Sequence, residues 1–202
     1  MQFAVKILVK KEVKSFARNP GGAPANVLAM NSKLGGSSAF IGKVGNDAFG
    51  SYLKDTLSNH NIDITGMATD SNVPTTLAFV QLDSKGDRSF SFYRNPGADM
   101  MLNADEVKKE LIDECKIFHF GSLSLTDEPC RKATYDAVNY AKKLGKIISF
   151  DPNYRSLLWS DREKAVNEIS RAITMADILK VSEEEMYLVT GEQILKSVQK
   201  SF

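Results

Sequence analysis

The sequence predicts an α/β fold: a mostly parallel sheet with helices on both faces and a small β-hairpin standing off it. Three observations predict it. From residue 38 onward, short apolar runs bounded by glycine or proline alternate with amphipathic helical stretches, the rhythm of strands joined by crossover helices. One stretch, VPTTLAFVQLDSKGDRSFSFYRNPG, breaks that rhythm with two β-rich runs around DSKGD, Phe90 and Phe92 alternating with Ser89 and Ser91. Polar residues also gather directly after the strands, where open α/β sheets bind ligands.

The 202 residues suffice for one generous domain, 43% hydrophobic and 25% charged, with a formal net charge of +1. Basic residues are scattered, so no electrostatic footprint for nucleic acid or acidic lipid arises. No apolar run is long enough to span a membrane. Residues 1–18 are short and lysine-studded, without the apolar core of a secretory leader or the serine-rich length of a plastid one, so a cytoplasmic protein is expected. Cys115 and Cys130 have neither metal nor disulfide-framework spacing and read as reduced thiols. His60 and His119 are too few for a histidine zinc centre, and His119 sits in the run KIFHFG as a strand residue.

The elements follow in order. NPGGAPANVLAMNSKLGG, residues 19–36, places four glycines and two prolines around a helical pattern of Val27, Met30 and Leu34. Gly21 and Gly22 let backbone approach a ligand, Pro24 suits a first helical turn, and Asn26 brings an amide to that turn. Residues 38–44 form a strand. NDAFGSYLKDTLSNH is a helix capped by Asn46 or Asp47, with Phe49, Tyr52, Leu53 and Leu57 on one face. The lid hairpin occupies residues 73–95. CKIFHFGSL is a buried strand; the next helix opens at Thr126 or Asp127, carries Thr134, Ala137, Val138, Ala141 and Leu144 as its stripe, and ends at Gly145. GKIISFDPN is a strand stopped by Pro152. SDREKAVNEISRAITMA is a helix capped by Ser160, ADILKVS a strand, SEEEMYLVTG a short helix, and EQILKSVQKSF is amphipathic. The polar residues after strands are Lys43, Gly121 with Ser122, then Asp151, Asn153 and Arg155, then Ser182 to Glu185. Ser182 and Glu185 also have the spacing of a helix capping box. No dinucleotide-binding or P-loop fingerprint occurs.

The order GGAPAN, LGG, FIGKVGNDAFG, a hairpin ending in NPGAD, DPNYRSLLW and LKVSEEEMYLVTGE resembles the pfkB (ribokinase-like) carbohydrate kinases, and within them the fructokinases of plant type, over about residues 16–191. The resemblance implies a three-layer α/β/α core, Rossmann-like and ribokinase-like, with a β lid that serves as a homodimer surface. It implies transfer of a phosphoryl group from ATP, with Mg2+, to fructose, giving fructose 6-phosphate. It places Gly21, Gly22 and Asn26 in the sugar pocket, Lys43 reaching over it, Ala78 or Phe92 as an apolar lid wall, and Arg94 as a polar contact. Arg155 corresponds to the family arginine near the transferred phosphate, where a fork of donors suits phosphate oxygens. Lys180 is a further phosphate candidate. Glu185 matches the glutamate of the family's Asn-x-x-Glu motif, which organises Mg2+ through water; Ser182 stands where asparagine is commonest.

The family's Gly-Ala-Gly-Asp segment, which carries the catalytic base, does not occur in these residues, and the nearest string, Gly97-Ala98-Asp99, belongs to another family position. The opening residues offer Glu12 but no Gly-Glu pair and no aspartate before Asp47. The chain is therefore expected to be one incomplete ribokinase-like domain over residues 1–202, lacking the C-terminal nucleotide-binding third, with a sheet edge and a helix face left exposed. Two readings stand: a fructokinase sequence whose chain alone turns over little or nothing, and a non-catalytic protein of the same fold that binds a sugar or a partner.

Overall fold

The computed structural model describes residues 2–8, 15–82 and 88–191, so Glu12, the hairpin tip DSKGD and EQILKSVQKSF lie outside the described residues. Strands β1 (Gln2–Leu8) and β2 (Ala17–Gly21) pair antiparallel. β2 contains Pro20 and lies at the edge of its sheet, where a missing N–H is tolerated. Helix α1 (Ala23–Lys33) follows at once. Its cap is Gly22 at φ 123°, backbone that favours glycine, and Pro24 stands in its first turn as expected.

The single strand expected over residues 38–44 is two, β3 (Ser38–Ala39) and β4 (Gly42–Gly45). The Phe40 ring folds back over Gly42, where a Cβ would stand 2.6 Å from it, and the chain bends there. β3 pairs with β5 (Ile62–Asp63) and β4 with β6 (Met67–Asp70), both parallel. Between them, α2 (Ala48–Asn59) buries Leu53 and Leu57. Its cap is Asp47, whose carboxylate accepts the N–H groups of Phe49 and Gly50 and both the N–H and the hydroxyl of Thr75.

β7 (Leu77–Leu82) and β8 (Arg88–Tyr93) form the expected antiparallel hairpin. β7 also pairs parallel with β1, so the lid is a four-stranded sheet in the order β2-β1-β7-β8 rather than a hairpin alone. The second half runs α3 (Lys109–Glu114), β9 (Ile117–Gly121), α4 (Cys130–Lys143), β10 (Ile147–Asp151), α5 (Arg162–Ile173), β11 (Ile178–Leu179) and α6 (Glu183–Thr190). Its three strands form a parallel sheet in the order β11-β10-β9. Two helix starts differ from expectation. A 3₁₀ turn over Ser122–Leu125 intervenes after β9, the Thr126 hydroxyl bonds back to Leu123 O, and α4 begins only after Pro129. α5 is capped by Asp161, which accepts the Lys164 N–H at 2.7 Å, while Ser160 donates its hydroxyl to that aspartate. Gly145, at φ 70°, follows α4 as predicted.

Five of the seven strand pairings among the described residues are parallel. One core joins Phe120, Ile148 and Phe150 of the β9–β11 sheet to Val138 and Ala141 of α4 and Ile169 of α5. A second packs Leu53, Leu57, Val44 and Ile62 with Ala25 of α1. On the other face of the β9–β11 sheet Ile117 and Ile147 stand in register, 51% and 43% exposed, and α1 presents Val27, Met30 and Leu34 to solvent. No helix among the described residues is long and apolar enough to cross a membrane.

Because Asp47 joins the α2 N-terminus to the lid's first leg, Asp47→Ala should lower unfolding free energy by about 2–4 kcal/mol in urea. Asn46→Ala should change it by less than about 0.5 kcal/mol. Equal losses would remove Asp47 as the cap.

Candidate functional site

β9 and β10 end together, Gly121 opposite Asp151. A Cβ at Gly121 would stand 3.1 Å from Asp151 O and 3.8 Å from Pro24 Cγ, so the start of α1 lies directly against these strand ends. Past β10 the chain turns at Asn153, φ 43°. The Tyr154 N–H then donates to Glu185 Oε1 at 2.7 Å, and the Ser182 N–H donates to Oε2 at 2.8 Å. Ser182 Oγ accepts the Glu185 N–H at 3.2 Å, completing the capping box of α6. Glu185 is buried with both oxygens on backbone donors, so it holds the DPNY loop to α6. The described residues contain no cluster of three side chains able to hold a metal.

Asp151 is buried; its Oδ2 lies 3.1 Å from Lys180 Nζ, and its Oδ1 has no partner among the described residues. The Lys180 side chain is 73% exposed, so its ammonium projects from the strand ends into solvent. Arg155, on the loop after β10, is exposed, with Nη1 donating to Tyr154 O. Arg155, Lys180 and Glu185 are thus brought to one end of one sheet.

Gly21, Gly22 and Asn26 also come together. The Asn26 N–H donates to Gly22 O at 3.0 Å. Gly21 and Asn26 line a cleft of about 280 Å³ between β2, α1 and the end of α2, which Lys33, Thr56 and His60 also line. No local motif in the sequence marks those three as cleft residues.

Lys43 and Arg94 go elsewhere. Neither lines the cleft. Lys43 is buried with Nζ 2.8 Å from Glu106 Oε1, 3.2 Å from Asp70 Oδ2 and 3.1 Å from Met101 O. Burial works against its charge, but hydrogen bonds and attraction from Glu106 and Asp70 outweigh it and raise the ammonium above 10.5. Asp70 is held below 3.8, first by the N–H groups of Asn72 and Val73 and then by Lys43. For Glu106, burial is outweighed by Lys43 and Asn103, which hold it below 4.5. Arg94 donates Nε to Asp99, Nη1 to Thr126 and Nη2 to Leu123 O. Ala78 and Phe92 pair in register on one lid face, while Leu77 and Phe79, of the opposite parity in β7, pack toward the α1–α2 cluster. Sequence could not choose between these faces because LAFVQL is apolar at both parities.

His119 is a strand residue as expected, its Nδ1 3.0 Å from Ser149 Oγ, with burial lowering its pKa against the pull of Asp151. Both cysteines are free; burial pushes the Cys130 thiol up to about 11, far from reactivity.

Comparison with known proteins gives a consistent picture. The model of the pfkB family of carbohydrate kinases matches residues 4–201. Probable fructokinase-7 of Arabidopsis thaliana is 50% identical over 180 residues, 89% of this chain and 52% of that protein. The fructokinase of Xylella fastidiosa with bound ATP superposes with a TM-score of 0.86 at 33% identity, over 94% of this chain and 62% of its own. The fructokinase of Vibrio cholerae O395 with fructose, ADP and calcium ion gives 0.85 at 34% identity, over 98% and 64%. The chain spans about half the length of the curated relatives it matches.

The Lys43 group makes a pH prediction. Asp70 and Glu106 titrate below their ordinary values when folded, so the stability they add is complete above about pH 5 and is lost as pH falls through the folded values. Lys43→Met should cost roughly 2–4 kcal/mol at pH 7. The gap to wild type should narrow steadily between pH 5 and pH 3 in urea unfolding, and a gap independent of pH would contradict the pairing.

Proposed function

The chain belongs to the pfkB family of carbohydrate kinases, and on that premise we propose that the protein transfers the terminal phosphoryl group of ATP to a hydroxymethyl oxygen of fructose, giving fructose 6-phosphate. The observation that supports the reading is the closeness of Pro24 to Gly121, where an added Cβ would stand 3.8 Å from Pro24 Cγ, which sets the Gly21–Gly22–Asn26 turn against strand ends that also bear Lys180 and Arg155. Fructose is favoured over other sugars by the fructokinase at 50% identity and by the fructose-bound neighbour.

Phosphoryl transfer asks for alignment and for neutralisation of charge more than for covalent chemistry. Gly21 and Gly22 carry no side chain and admit the sugar close to the start of α1. The Asn26 amide offers a donor and an acceptor to a pair of hydroxyls. Arg155 and Lys180 supply donors to phosphate oxygens, the first as a fork and the second as a point charge. Asp151 holds the Lys180 ammonium, and Glu185 holds the loop that carries Arg155. ATP with a divalent cation supplies the phosphoryl group when bound. Glu185 has both oxygens on backbone N–H groups and would meet such a cation only through water. Among the described residues no carboxylate lines the cleft. Asp99 is engaged by Arg94 and Thr76 and is not a base for the hydroxyl.

The non-catalytic reading has no observation of its own in favour. A lid-to-lid homodimer is supported by Tyr93, 67% exposed, and Phe90 at the lid surface.

A coupled assay with fructose and MgATP tests the reaction. Fructose-dependent release of ADP is expected. Asn26→Ala should raise KM for fructose about tenfold, and Arg155→Ala should lower kcat about a hundredfold with little change in KM. A folded protein that forms no fructose 6-phosphate and gives no heat with millimolar fructose would overturn the reading.

A further inference from the structure

The β7–β8 hairpin of the lid joins the body through two legs, and both meet at one carboxylate. Thr76, immediately before β7, donates its hydroxyl to Asp99 Oδ1. Arg94, immediately after β8, donates Nε to Asp99 Oδ2 at 2.8 Å. The side chains of Arg94 and Asp99 are only 3% and 13% exposed. Arg94 does not stop at this pair: Nη1 reaches Thr126 Oγ1 at 2.9 Å and Nη2 reaches Leu123 O at 3.0 Å. That turn follows β9 directly, and its first residue, Ser122, donates its N–H to Pro152 O beside Asp151.

We propose that Arg94 and Asp99 form a clamp that sets the angle of the lid and transmits it to the strand ends through the Leu123–Thr126 turn. Both are positioning residues in this account, not ligands. A buried ion pair adds little net stability over apolar packing, but a planar fork with three partners fixes orientation. The packing is tight enough to enforce it. A Cβ at Gly97 would overlap the Thr76 hydroxyl and stand 3.1 Å from Arg94 Cγ, so no larger residue fits inside the clamp. Gly97 has ordinary extended backbone, φ −106°, and the requirement there is one of space alone. The first leg is also held at Thr75 by Asp47 and at Pro74 O by the Ala98 N–H. Neither of those ties reaches the β9 turn.

The consequence for a sugar rests on the kinase reading; the clamp itself does not. Hydrogen exchange without ligand is therefore the first test. Asp99→Ala should speed amide exchange in β7, β8 and residues 122–126 at least tenfold while amides in β10 and α5 stay within twofold. Thr126→Val, which keeps the shape but removes the acceptor for Nη1, should loosen the same segments if Asp99→Ala does not fold, and Thr126→Ser should restore them. Exchange that rises equally in α5, or that does not change in the lid, would overturn the clamp. Kinetics then separate the two proposals. With both correct, Thr126→Val raises KM for fructose about tenfold and changes kcat less than threefold. Lid loosening in a protein that never responds to fructose would retain the clamp and remove the sugar.

Discussion

Two segments, at Tyr154 and Ser182, meet on the buried carboxylate of Glu185, which takes the N–H of Tyr154 on one oxygen and the N–H of Ser182 on the other. Both donors would otherwise be orphaned, one in a loop turned by the left-handed Asn153 and one at a helix start. The strand-end group exists because this carboxylate satisfies them together. It fixes where the DPNY loop leaves β10, and so where Arg155 emerges relative to Lys180. The close passage of Gly121 beside Asp151 O then lets α1 bring its glycine turn to the same place.

The same device recurs wherever distant segments must be joined. Asp47 gathers the first turn of α2 and Thr75; Asp99 gathers Thr76 and Arg94; Glu106 and Asp70 gather Lys43. In each case a charge that could have served a ligand is satisfied inside the protein, where low dielectric makes an unpaired group costly and a paired one specific. Lys180, Arg155 and Asn26 are the exposed groups on which the proposed sugar and phosphate contacts rest, with Lys180 also paired to Asp151.

Much of this was legible from local chemistry. Glycine and proline punctuation marked α1, the end of α4 and the stop after β10, and the S-E-E-E spacing announced a capping box that the structure contains. β1 and β2 were missed because lysines interrupt one and Asn19-Pro20 disguises the other as a loop. The break at Gly42 depends on where the Phe40 ring lies, which no periodicity records. Lys43 follows a strand and Arg94 is a lid contact that the family resemblance implies; the structure buries both in pairings of their own. Their partners Glu106 and Thr126 stand 63 and 32 residues away, and a single sequence carries no signal for such a pairing. The family resemblance gives the order of the motifs, and which of their charges pair inside the protein depends on contacts distant in sequence.

The central claim is that a sugar binds where the Gly21–Gly22–Asn26 turn meets the ends of β9 and β10. Titration of fructose into 15N-labelled protein, followed by amide chemical shifts without nucleotide, tests it most directly. The account predicts saturable shifts concentrated at Gly21, Gly22, Asn26 and Gly121, with little change in α5. Shifts confined to other surfaces, or none at tens of millimolar fructose, would contradict it.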